Sequence, residues 1–291
     1  MLDIRSHLFY LIAIFLFFGM GILVGASLIG ASQVKQQSKA IAALRDQTNQ
    51  TVKEERAAKD LLAKTQDALA TLRPLVVRGK LAGKHVILIQ TGDSPDAATA
   101  ANKALSDAGV SEVDTVVLTA KWANLTPKQR QDIFAACSLP VPADTDTNAP
   151  LLASLGQALV GGTGAAQTSP VNLEVVQGFE QQDLITDTGD LTQPCSFFVL
   201  VGGAHDDAEG ESPDAGMIDA LSAASAGQAT VVGCESSQAA VSFMPIYQKA
   251  GIATVDCIDL PLGKLALPFA LRGGIDKDDY GIKSTAHRQW P

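Results

Sequence analysis

The sequence predicts an α/β protein carried on an N-terminal transmembrane helix and a coiled-coil stalk. Three observations predict it. Residues 8–34 contain no Asp, Glu, Lys or Arg. Residues 31–73 contain no Gly or Pro. From residue 84 onward, short β-branched runs alternate with Ala-rich segments. The boundaries follow as 1–30 for the anchor, 31–75 for the stalk helix and 84–291 for the globular domain.

Residues 8–29 (LFYLIAIFLFFGMGILVGASLI) are long enough to cross a bilayer, which takes about 20 apolar residues. The alternative is a cleaved signal peptide, with Val24, Gly25 and Ala26 as its small-residue site. A signal's apolar core is normally only about 7–15 residues, so a permanent helix with the lipid bilayer as its partner is the expectation. Gly21 and Gly25 have the G-x-x-x-G spacing that lets two membrane helices approach closely, although glycine is also simply common in such helices. Arg5 precedes the span; Lys35, Lys39 and Arg45 follow it. Positive-charge counting alone would put the long C-terminal part in the cytoplasm.

The stalk is rich in Ala, Gln, Lys and Thr, a composition that favours helix. A heptad places Val34, Ile41, Thr48, Glu55, Leu62 and Leu69 at a, and Gln37, Leu44, Thr51, Ala58, Thr65 and Leu72 at d. The seam is apolar at both ends and polar in the middle. It predicts self-association through a coiled coil, against the alternative of a single solvated helix. Such a rod would be roughly 65 Å long. Pro74 and Gly79 are expected to stop it.

In the domain, residues 84–90 read as a buried strand, followed by a turn and an Ala-rich helix to residue 108. Residues 114–119 are a second strand. Thr126 and Pro127 open a helix as N-cap and first helical residue. Residues 151–160 and 171–185 read as helices. Residues 196–203, 230–234 and 252–256 read as strands, with helices at 214–224, 239–250 and 261–271 between and after them. The alternation predicts a Rossmann-like, mostly parallel sheet covered on both faces.

Charge is divided sharply along the chain. Residues 1–83 hold 11 basic and 6 acidic residues, +5; residues 84–291 hold 11 basic and 25 acidic, −14. No Lys or Arg lies between Arg130 and Lys249. An acidic body argues against nucleic acid, whose phosphates demand a basic face. Cys137, Cys195, Cys234 and Cys257 form no C-x-x-C and have no His at zinc-ligand spacing. Cys234 and Cys257 end neighbouring predicted strands, so a disulfide or a core contact are both open.

The loop after Val201 carries His205, Asp206 and Asp207, where α/β folds bind ligands. Together they could hold a divalent ion; the alternative is a hydrated acidic loop. The turn at Thr91, Gly92 and Asp93 lacks a dinucleotide fingerprint. Ser236 and Ser237 lie beside Glu235, but no G-x-S-x-G surrounds them. No nucleophile–base pair assembles from the four histidines, so the expectation is a protein that is not an enzyme.

Two stretches carry a resemblance. Residues 1–8 (MLDIRSHL) and 18–25 (FGMGILVG) are similar to the N-terminal anchor of the mycobacterial-type copper transport protein family. Residues 251–259 (GIATVDCID), Gly263, residues 270–274 (ALRGG) and residues 280–283 (YGIK) resemble that family's closing motif. Cys257 departs from it, where Asn or Asp is expected. The resemblance marks Asp256, Asp259, Gly273, Gly274, Tyr280 and Gly281 as motif positions. It implies a single-pass cell-membrane protein with an extracytoplasmic domain, an oligomer serving copper homeostasis, with copper as its ligand. Some relatives look instead like scaffolds of the envelope or cell-separation machinery, partnered by a division protein. A single helix with an α/β domain supplies no barrel strands, so a pore would take many chains around an axis.

Overall fold

The computed structural model describes residues 4–143, 145–161, 171–189, 191, 193, 195–204, 213–272 and 278–288, the side chains of 4–6 and 26–34 excepted. The chain divides into two compact units, Met1–Thr65 and Gln66–Pro291.

The first unit is helical throughout its described length. It belongs to α1 (Ile4–Val77). The window His7–Gly25 has a mean hydropathy of 2.5 and none of it is buried. Further on, the seam residues Ile41, Leu44 and Leu62 are all more than half exposed.

α1 continues three residues past Pro74, correcting the expected stop there. The pyrrolidine removes one backbone donor, but the Pro74 carbonyl still accepts from the Arg78 N–H at 3.2 Å. The chain turns at Gly79, whose φ of +73° costs glycine nothing.

The second unit then runs β1 (His85–Gln90), α2 (Pro95–Asp107), β2 (Glu112–Leu118), α3 (Pro127–Ala136), α4 (Ala149–Val160), α5 (Leu173–Gln181), β3 (Ile185–Thr188) and β4 (Phe197–Gly202). It closes with α6 (Asp214–Ala224), β5 (Thr230–Glu235), α7 (Met244–Lys249), β6 (Ala253–Val255), α8 (Pro261–Arg272) and β7 (Asp279–Tyr280). Among the described residues the sheet has the order β3-β2-β1-β4-β5-β6-β7. Every pairing is parallel except β2 with β3.

β1 shows why the sheet is central. All six of its residues are buried. Ile87 and Ile89 face one apolar layer with α3 to α7; Val86 and Leu88 face the other with α2, α8 and Val77 at the end of α1. Each such aliphatic side chain contributes about 1.5–3 kcal/mol on burial. α2 presents Ala97, Ala98, Ala101 and Ala104 inward, and these small side chains let it lie close to the strands. Ser94 caps it by accepting from the Ala97 N–H at 3.3 Å. The expected capping of α3 by Thr126 is present, with Gln129 completing a capping box.

Two expected helices are shorter than the sequence suggests. Residues 171–185 do not form one helix. α5 stops at Gln181, the chain passes Asp183 at φ +55°, and Ile185–Thr188 adds the antiparallel edge strand. Residues 239–250 yield only α7. Val241 is held in extended pairing with Ala204, each N–H donating to the other's carbonyl at 2.9–3.0 Å, before helix can begin.

Candidate functional site

Four of the six motif positions meet at the carboxyl end of β5 and β6. Asp256 directly follows β6. Its Oδ1 accepts from the Ile282 N–H and its Oδ2 from the Lys283 N–H, both at 2.8 Å. Gly281 has φ +153°, and a Cβ built there would overlap the Asp256 carboxylate. Only glycine lets the tail turn this close. Tyr280 lies opposite Val255 in the β6–β7 pairing, and its carbonyl accepts from the Asp256 N–H at 3.1 Å. Asp259 accepts from the Ser237 N–H and hydroxyl, both at 2.6 Å.

A residue outside the motif completes the junction. Glu235, at the end of β5, is fully buried. Its Oε1 accepts from Lys283 Nζ at 2.5 Å and from the Ser242 hydroxyl at 2.7 Å; its Oε2 accepts from the Phe243 N–H at 2.8 Å. Lys283 thus ties the tail to the sheet with both its backbone and its ammonium. All six oxygens of Glu235, Asp256 and Asp259 accept internal hydrogen bonds. Carboxylates engaged in this way hold structure together and have little capacity left for a general base or an ion. The partnership joins residues 48 positions apart. The one signal for it in the sequence is a lone Lys inside the closing motif.

Open α/β sheets bind ligands where the strand order reverses, here between β1 and β4. The described part of that crevice is closed. The Thr91 and Gly92 N–H groups both donate to the Val201 carbonyl at 3.0 Å, and a Cβ on Gly92 would overlap the Gly203 carbonyl. Below it, buried Asp214 accepts from the Thr91 hydroxyl at 2.7 Å and the Tyr247 hydroxyl at 2.5 Å. Burial and the Asp214 charge hold the Tyr247 phenol well above its ordinary range.

His205, Asp206, Asp207, Gly273 and Gly274 lie outside the described residues. Among the described residues, no group of three or more His, Cys, Asp or Glu side chains is arranged to hold a metal ion. The four cysteines are free and buried. Cys234 and Cys257 are therefore core thiols here, and burial pushes both up, Cys257 to about 12. A groove of about 710 Å³ opens beside α4 and α5, lined by Leu139, Ala153, Ser154, Gln157, Leu173 and Val175, with no titratable side chain among them.

At the amino end of the sheet the sequence reading missed a buried pair. His85 Nε2 lies 2.7 Å from Asp114 Oδ2. Among the described residues, His85 Nδ1 and Asp114 Oδ1 have no hydrogen-bond partner. Cys195 Sγ is 3.3 Å from the His85 carbonyl oxygen. His85 and Asp114 are 29 positions apart, and nothing in either local sequence announces the contact.

No curated protein matches the sequence. A family profile described as "Copper transport outer membrane protein, MctB" matches residues 1–291. The match runs from the apolar helix through the closing junction, and the chain belongs to that family of copper transport outer membrane proteins.

Proposed function

We propose that the protein serves copper homeostasis as a membrane-anchored, non-enzymatic oligomer. The observation that carries this reading is the family match over the whole chain. Residues 8–29 anchor it in the bilayer: the stretch is long and apolar, and over His7–Gly25 it has no internal cover. The exposed seam residues Ile41, Leu44 and Leu62 pair with those of further copies in a coiled coil. Anchors in one bilayer bring those helices together in parallel. Glu54 at g then faces Lys59 at e of the neighbouring copy, a complementary pair. The acidic body works on the extracytoplasmic side, where its field attracts cations. Among the described residues one helix is long and apolar enough to cross a membrane, and a single such helix encloses nothing, so any pore is assembled from several chains. The family description favours copper over the division-scaffold alternative.

Copper accumulation in a strain lacking the gene tests this directly. Complementation by the full chain restores wild-type copper content, while residues 31–291 alone do not. Equal copper content with and without the gene would overturn the copper reading. Rescue by residues 31–291 would overturn the anchor. A reporter fused at Pro291 reads the side of the membrane.

A further inference from the structure

The stalk part of α1 carries a seam whose neutral polar positions are already satisfied from within. Over residues 41–65 the a and d positions hold Ile41, Leu44, Thr48, Thr51, Glu55, Ala58, Leu62 and Thr65. Each threonine hydroxyl donates back to its own helix. Thr48 Oγ1 reaches the Leu44 carbonyl at 2.8 Å, Thr51 Oγ1 that of Gln47 at 3.0 Å, and Thr65 Oγ1 that of Leu61 at 2.9 Å. A second helix laid over the seam therefore buries no hydroxyl donor without an acceptor.

Glu55 is the one charged residue among the eight. Its Oε1 accepts from Lys59 Nζ of the same helix at 2.6 Å, and both side chains are more than half exposed. Beside it at g stands Glu54, whose Oε1 accepts from Gln50 Nε2 at 2.9 Å. Register follows from where these charges fall. In parallel helices a g residue meets the e residue five positions on in its neighbour. With two copies in register, Glu54 meets Lys59, and the two carboxylates and one ammonium of each chain gather in a single layer. A slip of one heptad turns Glu54 toward Val52 and Gln66, and sets Glu55 opposite Thr48 and Leu62. A slip of two heptads offers Glu54 an arginine, Arg45 or Arg73, but sets Glu55 opposite Ile41 and Leu69. Each slip makes two layers in which a carboxylate is pressed against uncharged side chains, which costs more than one shared layer.

We propose that copies of the chain pair in parallel and in register along residues 41–65, with the layer of Glu54, Glu55 and Lys59 fixing that register. The proposal rests on the coiled-coil reading above and adds the stretch that pairs and the residues that align it. The partner is a second copy of this chain because the sequence itself supplies the complementary charge at the required spacing. Lys59 is the positioning residue: it serves Glu55 of its own helix and Glu54 of the neighbour.

The test uses the full chain in detergent, where no bilayer aligns the anchors, and reads disulfides between introduced cysteines. The four native cysteines are buried, and a maleimide added before denaturation keeps them out of the readout. Two copies with tags of different size carry Thr51→Cys and Ala58→Cys, both at d. Like-with-like disulfides are expected at 51 and at 58, while the mixed 51–58 product stays at background. Lys53→Cys, at f, gives none. Lys59→Glu raises the mixed product to the level of the like-with-like ones, and adding Glu54→Lys returns it to background. A mixed product as abundant as the others without further substitution overturns the register. A mixed product that Lys59→Glu leaves at background overturns the role of the layer, and crosslinking through Lys53→Cys equal to that at 51 overturns the face. Single chains with no disulfide at either d position overturn the coiled-coil reading and this inference with it. The copper reading is tested separately, by copper content.

Discussion

The two ends of the parallel sheet treat their charged groups in opposite ways. At the carboxyl end, Glu235, Asp256 and Asp259 offer six oxygens, and each accepts at least one hydrogen bond from within the protein. At the amino end, His85 and Asp114 satisfy each other through one atom apiece and, among the described residues, leave one atom apiece unpaired. Glu235 and Asp256 at one end and His85 and Asp114 at the other are all buried, so desolvation penalises both sites. The difference is completeness. A finished network stabilises the fold; an unfinished one costs stability. The closing motif is therefore where the fold gains most from its charged groups.

The comparison is broken most easily at Lys283. Lys283→Ala leaves the fully buried Glu235 without its cation, and removing one partner of a buried pair costs about 3–5 kcal/mol. Urea denaturation of the variant reads that loss. Gly281→Ala comes next. Its Cβ overlaps Asp256 and its φ is unfavourable for alanine, so a loss of about 2–3 kcal/mol is expected in the same assay.

An alkaline effect is smaller. Cys195 has a folded-state value of about 12 against an ordinary 9.0, raised by burial. A raised thiol binds its proton more tightly when folded. Its contribution is thus fully present below pH 9 and falls away as pH rises toward 12. At pH 10 the difference is about 1 kcal/mol, read as a steeper alkaline loss of thermal stability in wild type than in Cys195→Ser. The smallest effect sharpens the contrast. Replacing both His85 and Asp114 by Leu removes two unpaired atoms together with one hydrogen bond, so stability changes by less than about 1 kcal/mol. A loss as large as that of Lys283→Ala would show that the amino end is structural as well.

Much of the architecture was legible because single segments encode it. The apolar run of β1, the Ala-rich face of α2 and the cap at Thr126 each declare themselves locally. β3 was not legible. Its four residues follow an amphipathic helix, and Ile185 continues that helix's apolar pattern while pairing with Leu118 of β2. β7 is two residues long and is defined by its pairing with β6 and a bridge from Tyr280 to Arg288. The motif positions Asp256 and Gly281 could be named from the sequence, but what they do could not. Their meaning lies in a carboxylate meeting backbone N–H groups 26 and 27 residues later. The pair of His85 with Asp114 is the extreme case. Its significance is an unpaired atom, and no pattern of residue types records that.

Side-by-side urea denaturation of Lys283→Ala and of the His85→Leu/Asp114→Leu double variant tests the contrast most directly. The account predicts a loss of about 3–5 kcal/mol for the first and a change of less than about 1 kcal/mol for the second. Equal losses in the two would contradict it.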